Sequence, residues 1–214
     1  MSDLLVGSPN AGVDLRQALT KMLNGDVEVF RAGFAYITRS GLTEVLPHAA
    51  MHDGFHKARK QWLVGIHHAI SEPAAVEELV NLGRSEVRLA VGDDTIVNAI
   101  RGRSIFHAKT IMVHSGRKQR DVSLVAGSAN LTRGALGRHA RNYELCVFMP
   151  QLEVTQVVAL NSWWKAAWSA ALAATPSNLD SYARAREKFV RKNPDLFESK
   201  HSGSLRRVTV GCGV

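Results

Sequence analysis

His107 and Lys109 stand two residues apart in "FHAKTIMV", and Gly127, Ser128 and Asn130 follow in "DVSLVAGSAN". These side chains suit one kind of chemistry. An extended strand points residues i and i+2 to the same face, so His107 and Lys109 are expected to project together, and so are Ser128 and Asn130 if "GSAN" continues its strand. Lys, Ser and Asn bring hydrogen-bond donors for anionic oxygens. An imidazole is a nucleophile or an acid–base group near neutral pH. Gly127 lets a backbone or a ligand come close. No carboxylate cluster of the kind Mg²⁺ prefers accompanies them. The set reads as a phosphoryl-handling site in which protein donors stabilise the charge, with no metal and no other cofactor expected.

The elements that must position these residues alternate in type. The apolar stripe of residues 12–24 predicts a helix stopped by Asn24-Gly25. Strands are predicted over 27–38, 60–68 and 86–92. Between them lie a helix from "SGLTEV", started or kinked by Pro47 and ended by Gly54, and a helix over 71–83 with Ser71 as N-cap. Strands over 106–113, 121–130 and 142–149 follow, then a long amphipathic helix over 154–174. Strands alternating with helices, followed by a strand cluster, predict an α/β fold: a mixed β-sheet flanked by helices on both faces. Residues 1–174 read as one catalytic domain. Residues 175–214 read as a basic helical extension and a loosely ordered tail.

The net charge of +8 in 214 residues is unevenly placed. The window 101–141 contains Arg101, Arg103, Lys109, Arg117, Lys118, Arg120, Arg133, Arg138 and Arg141, but its one acid is Asp121; the rest of the chain is neutral. A local positive field of this kind draws a polyanion and speeds its encounter. Arg101, Arg103, Arg117, Lys118, Arg133, Arg138 and Arg141 are therefore the expected contacts to a polyanion such as a nucleic acid. Cys146 and Cys212 have neither zinc spacing nor a disulfide framework, and a reducing cytoplasm is the expected home. The N-terminus lacks a basic region followed by an apolar stretch, so no signal peptide is expected. Gln156, Asn161 and Lys165 interrupt the most apolar segment, which argues for a buried helix over a membrane span.

His107-x-Lys109 followed by Gly127-Ser128-x-Asn130 resembles the HKD motif of the phospholipase D superfamily, over roughly residues 27 to 170. The resemblance implies a phospholipase D-like fold with one motif per chain. It implies a two-step displacement in which His107 attacks phosphorus to form a phosphohistidine, while Lys109, Ser128 and Asn130 hold the non-bridging oxygens. Glu144, in "NYELCVFM", matches the family's acid that hydrogen-bonds the imidazole, a role that fixes a tautomer and supports the imidazolium. One departure stands out: the family's usual Asp falls here on His114. Single-motif nucleases and restriction-enzyme relatives in the family often lack that Asp. A second histidine is needed to protonate the leaving oxygen, and with one motif per chain the simplest source is a two-fold homodimer sharing the site. The resemblance thus implies a metal-independent endonuclease of restriction or defence type, with a partner subunit as one source of specificity. The alternatives are a phospholipase or phosphatidyltransferase, which needs a membrane-docking surface that the sequence does not reveal, and a non-catalytic nucleic-acid-binding subunit.

Other polar residues have plainer readings. His48, His52 and His56 are four apart, but Gly54 interrupts the helix, and a solvated face is favoured over a metal site. His67-His68 lie at the rim of the site or in a cap. Trp164 and Trp168 share a helix face and read as core or interface. Asp93-Asp94 read as a turn.

Overall fold

In the computed structural model, the described residues are 2–92, 94–102, 105–116, 121–138 and 140–197. Asp93, Arg103, Arg117, Lys118, Arg120 and Cys212 lie outside them, as does the tail from residue 198. Eight strands form one sheet: β1 (Asp3–Gly7), β2 (Val27–Phe34), β3 (Arg59–Gly65), β4 (Ser85–Ala90), β5 (Lys109–Ser115), β6 (Asp121–Gly127), β7 (Glu144–Met149) and β8 (Leu172–Ala173). Their order is β1-β7-β6-β5-β2-β3-β4-β8. The pairs β2–β3 and β3–β4 are parallel, and the others are antiparallel. The sheet is mixed, as the alternating pattern of elements implied.

The helices are α1 (Arg16–Leu23), α2 (Arg39–Ala49), α3 (Asp53–Lys57), α4 (Pro73–Val80), α5 (Ile96–Ile100), α6 (Arg133–Leu136), α7 (Val154–Ser169) and α8 (Pro176–Lys192). Strand periodicity splits the buried side chains between two cores. Phe30, Trp62, Val64, Ile111, Val113, Val125 and Phe148 point into the larger one, where they meet Leu19, Leu42, Val76 and Tyr182 from α1, α2, α4 and α8. Leu63, Met112, Val122 and Leu124 point the other way, where α7 covers them with Trp164. Helices thus cover both faces.

Several local features differ from the sequence reading; the helix expected over 154–174, for one, ends at Ser169 and gives way to β8. β1 was not foreseen; it pairs with β7, far along the chain, as Asp3 with Phe148, and non-local pairing leaves no local signal. Pro47 lies inside α2, which ends at Ala49, while Gly54 belongs to the separate α3. Ser71 is not the N-cap of α4; Glu72 is, without a side-chain bond. Ser71 Oγ instead donates to the Gly65 carbonyl at 2.6 Å and accepts from the Ile37 N–H at 3.1 Å. The hydroxyl is better used there, because Gly65 and Ile37 are both buried, where a backbone polar group needs a partner. The strand expected over 121–130 stops at Gly127, with consequences for the site.

β8 pairs with β4, and the segment after it forms α8, which lies against α4 and α5. Tyr182 is fully buried, and its hydroxyl donates to the Ser71 carbonyl at 2.6 Å. Tyr182→Phe leaves that buried carbonyl without the bond. We expect it to cost about 1–3 kcal/mol of stability, read as a lower urea midpoint with unchanged slope. An unchanged midpoint would show that α8 is not anchored through this bond.

Candidate active site

The mixed sheet gathers one end of several strands. β2 and β3 finish where β5 begins, where β6 finishes and where β7 begins, as the pairs Phe34–Lys109, Thr110–Ala126 and Gly127–Cys146 show. His107, Lys109, Ser128, Asn130 and Glu144 all emerge at this end. His107 precedes β5 and is exposed, whereas Lys109 opens the strand and is only 8% exposed. The loop is tied to β2 by the Ala35 N–H donating to the Ala108 carbonyl at 2.9 Å.

The Lys109 ammonium donates to the His107 carbonyl at 2.9 Å. Burial pushes its pKa down, while the nearby Glu144 carboxylate pulls it back up. Glu144 is itself buried, 7% exposed, on the first residue of β7. It accepts from the Ser128 hydroxyl through Oε2 and from Asn142 Nδ2 at 3.0 Å through Oε1. The carboxylate's partners are therefore Ser128 and Asn142, not the expected imidazole. Ser128 Oγ also accepts from the Leu145 N–H at 3.0 Å, so its one proton is committed to Glu144.

Ser128 and Asn130 do not project side by side, because the chain leaves the sheet after Gly127. At Gly127 a Cβ would collide with the Leu145 carbonyl and the Cys146 backbone, so only glycine lets β6 and β7 close here. Beyond it Ser128 turns to Glu144. Asn130 turns to the other neighbour: its Oδ1 accepts from the Tyr36 N–H at 3.0 Å. With the carbonyl end held, the NH₂ end is the one that can face an anion.

The basic residues fall into groups. Arg133, Arg138 and Arg141 are exposed on and just after α6, only a few residues beyond Asn130. Arg101 closes α5 and shares a groove with Lys188 and Lys192 of α8. The strand residues flanking 117–120, Ser115 and Asp121, lie at the end of β5 and β6 opposite to Lys109. His48 and His52 both reach Thr20, at 3.1 and 3.5 Å, while His56 bonds the Ala50 carbonyl at 2.7 Å. His114, where the family's Asp would stand, is 1% exposed under α7 and accepts from Arg31 Nη1 at 3.2 Å. Arg31 also donates to Asn161 and Gln61, which ties α7 to the sheet.

Three residues at the site were not singled out for it by sequence. Tyr36 and Asn142 hold Asn130 and Glu144 in place. Trp163 stacks on Phe106 with ring centres 6.4 Å apart, one residue before His107, leaving an aromatic surface at the rim. His67, two residues past the end of β3, was read as rim or cap. Its ring is only 2% exposed, 4.7 Å from the Tyr36 ring and 6.5 Å from the His107 ring. Burial, aided by His68, His107 and Lys109, pushes its pKa down to about 4.

No family model and no curated protein matches the chain. Solved structures do. Nuc from Salmonella typhimurium, a phospholipase D family member, superposes with a TM-score of 0.52 at 14% identity, covering 81% of this chain and 98% of Nuc. Phosphatidylserine synthase from Haemophilus influenzae Rd KW20 gives a TM-score of 0.51 at 14% identity, covering 91% of this chain and 46% of the synthase. This chain therefore spans less than half of that enzyme. Both likenesses are likenesses of fold.

The His67 shift makes stability depend on pH. An unfolded histidine titrates near 6.5, so as pH falls the unfolded state takes up this proton first. The contribution of His67 to stability is complete above about pH 6.5 and is lost as pH falls toward about 4. We expect His67→Gln to flatten that part of the stability–pH curve, measured by urea unfolding at several pH values. A curve of unchanged shape would show that the ring titrates normally.

Proposed function

On a phospholipase D-like fold, we propose that this chain is a metal-independent phosphodiesterase that cleaves nucleic acid, DNA in preference to RNA, through a phosphohistidine. The observation that carries the reading is the convergence of His107, Lys109, Asn130 and the Ser128–Glu144 pair on one end of the sheet. An imidazole nitrogen of His107 attacks phosphorus, and the P–O bond to the leaving oxygen breaks with its electron pair. A proton from a second imidazole neutralises that oxygen. Water then attacks phosphorus and gives its proton to the same second imidazole, and the P–N bond breaks to restore His107. Lys109 and the Asn130 amide hold the non-bridging oxygens, while Ser128 and Asn142 fix Glu144 beside the ammonium.

Two observations support nucleic acid as the substrate. Arg133, Arg138 and Arg141 stand exposed just past Asn130, where they can contact phosphates flanking the scissile one. The exposed Trp163 on Phe106 offers a face on which a base can stack. Among the described residues no helix is long and apolar enough to cross a membrane. An unforeseen strip of exposed apolar side chains runs along β1 and β7 through Leu4, Val6 and Leu145, with Tyr143 at its site end. We assign this strip to a second copy of the chain, whose His107 supplies the second imidazole, and we place the enzyme in restriction or defence, with a partner subunit as one source of specificity.

The direct test is plasmid and single-strand cleavage in EDTA. We expect the wild type to cut and His107→Ala to lose about 10³-fold or more of the activity. Strict Mg²⁺ dependence would sink the mechanism, and turnover of phosphatidyl lipid with no cutting would replace the substrate. Sedimentation should show a dimer at assay concentrations, and Leu145→Lys should shift it toward monomer with loss of cutting. A fully active monomer would remove the shared-site arrangement.

A further inference from the structure

We infer that His67, which belongs to neither motif, forms the floor of the phosphate site and donates a hydrogen bond to a non-bridging oxygen of the phosphoryl group carried by His107. The inference rests on the phosphate site proposed above and adds a residue to it.

The first observation is a buried side chain with unmet hydrogen-bonding capacity. His67 is 2% exposed, and among the described residues neither Nδ1 nor Nε2 has a hydrogen-bond partner. A residue needed only for packing is better apolar at such a place, because burying polar atoms without partners costs stability. The second observation is where the ring sits. Its centre is 6.5 Å from that of His107, too far for the two rings to bond each other directly. Between ring edges at that separation there is space for a bonded oxygen, since such bonds span about 2.6–3.2 Å. The third is backbone strain. His68 and Ala69, directly after His67, both have φ of +55°, a conformation that costs non-glycine residues energy and is kept where the surroundings demand it.

The neighbours explain how the ring would work. Those facing it are Tyr36 from β2, His68 on its own turn, and His107 and Lys109 from the start of β5. None is an acid. Burial above all, with the neighbouring His68, His107 and Lys109 adding to it, keeps the ring neutral, with one N–H to give. A neutral imidazole held in this way is a hydrogen-bond donor and not a proton source. It therefore complements the second imidazole and does not replace it. An arriving phosphodiester anion brings the negative charge that the surroundings lack.

The probe is inorganic phosphate, added to the full chain with ¹⁵N-labelled histidine and followed by NMR. Assignments come from His67→Gln and His107→Gln. We expect the ring nitrogens of both His67 and His107 to shift saturably with one dissociation constant, and the His67 titration midpoint to rise from about 4 when phosphate is bound. A response at His107 with none at His67 overturns this inference alone. Silence at both overturns the phosphate site itself, and this inference with it. In the cleavage assay, His67→Leu should lower kcat by about 10²–10³-fold, as loss of one preorganised donor does, with KM changed much less. His67→Gln, which retains an N–H, should recover at least about tenfold of that loss. A His67→Leu enzyme as fast as the wild type overturns the inference. If that variant does not fold, the wild-type titration with phosphate still decides.

Discussion

The Lys109 ammonium sits almost out of water, and the site is built around keeping it there. A buried cation is expensive unless its protons and its charge are both answered. The His107 carbonyl answers a proton, and Glu144 answers the charge. Glu144 would in turn be an expensive buried anion, and Ser128 and Asn142 answer it. Each group is thus held by the next, across three neighbouring strands. A one-residue slip between β5 and β6 or between β6 and β7 would turn one member to the other face and break the chain of partners.

The same logic explains the two unlike faces of the sheet. The larger core is mainly apolar, with Phe30, Trp62 and Phe148 among its fully buried members, and it takes in the Lys60 ammonium over the Phe55 ring. The face under α7 is partly polar, with Arg31 bonded to Gln61, His114 and Asn161 and lying over the Trp164 ring. That network fixes the position of α7, and so of Trp163 beside Phe106. His114 offers Arg31 a ring nitrogen as one of its three side-chain acceptors, and burial lowers the Arg31 pKa.

Much of this was legible in the chain, for local reasons. His107-x-Lys109 and Gly127-Ser128-x-Asn130 stand out because polar residues interrupt apolar strands at fixed spacing. The parallel strands read clearly because β2, β3 and β4 are apolar runs separated by helical stretches. What was hidden depends on contacts between distant residues. β1 is ordinary until β7 is beside it. Ser71 looks like a helix cap until the Gly65 carbonyl and the Ile37 N–H are seen to need it. Ser128 and Asn130 share a face only if the strand continues, and it stops one residue earlier. His67 and His68 are adjacent in sequence yet differ in burial, a difference set by the turn after β3 and invisible in the letters.

The order of the sheet also imposes an order in time. β1 pairs Asp3 with Phe148 and Gly7 with Glu144, so the first strand made must wait for nearly the last. β5 must slot between β2 and β6 before Lys109 has its place. Such long-range pairing is slow to form, and during synthesis the N-terminal segments emerge well before their partners. Glu144 is both the residue that steadies Lys109 and the start of the strand on which β1 closes. A chain still on the ribosome therefore carries His107 and Lys109 before Glu144 is beside them, and the proposed site comes together only after β7 has paired.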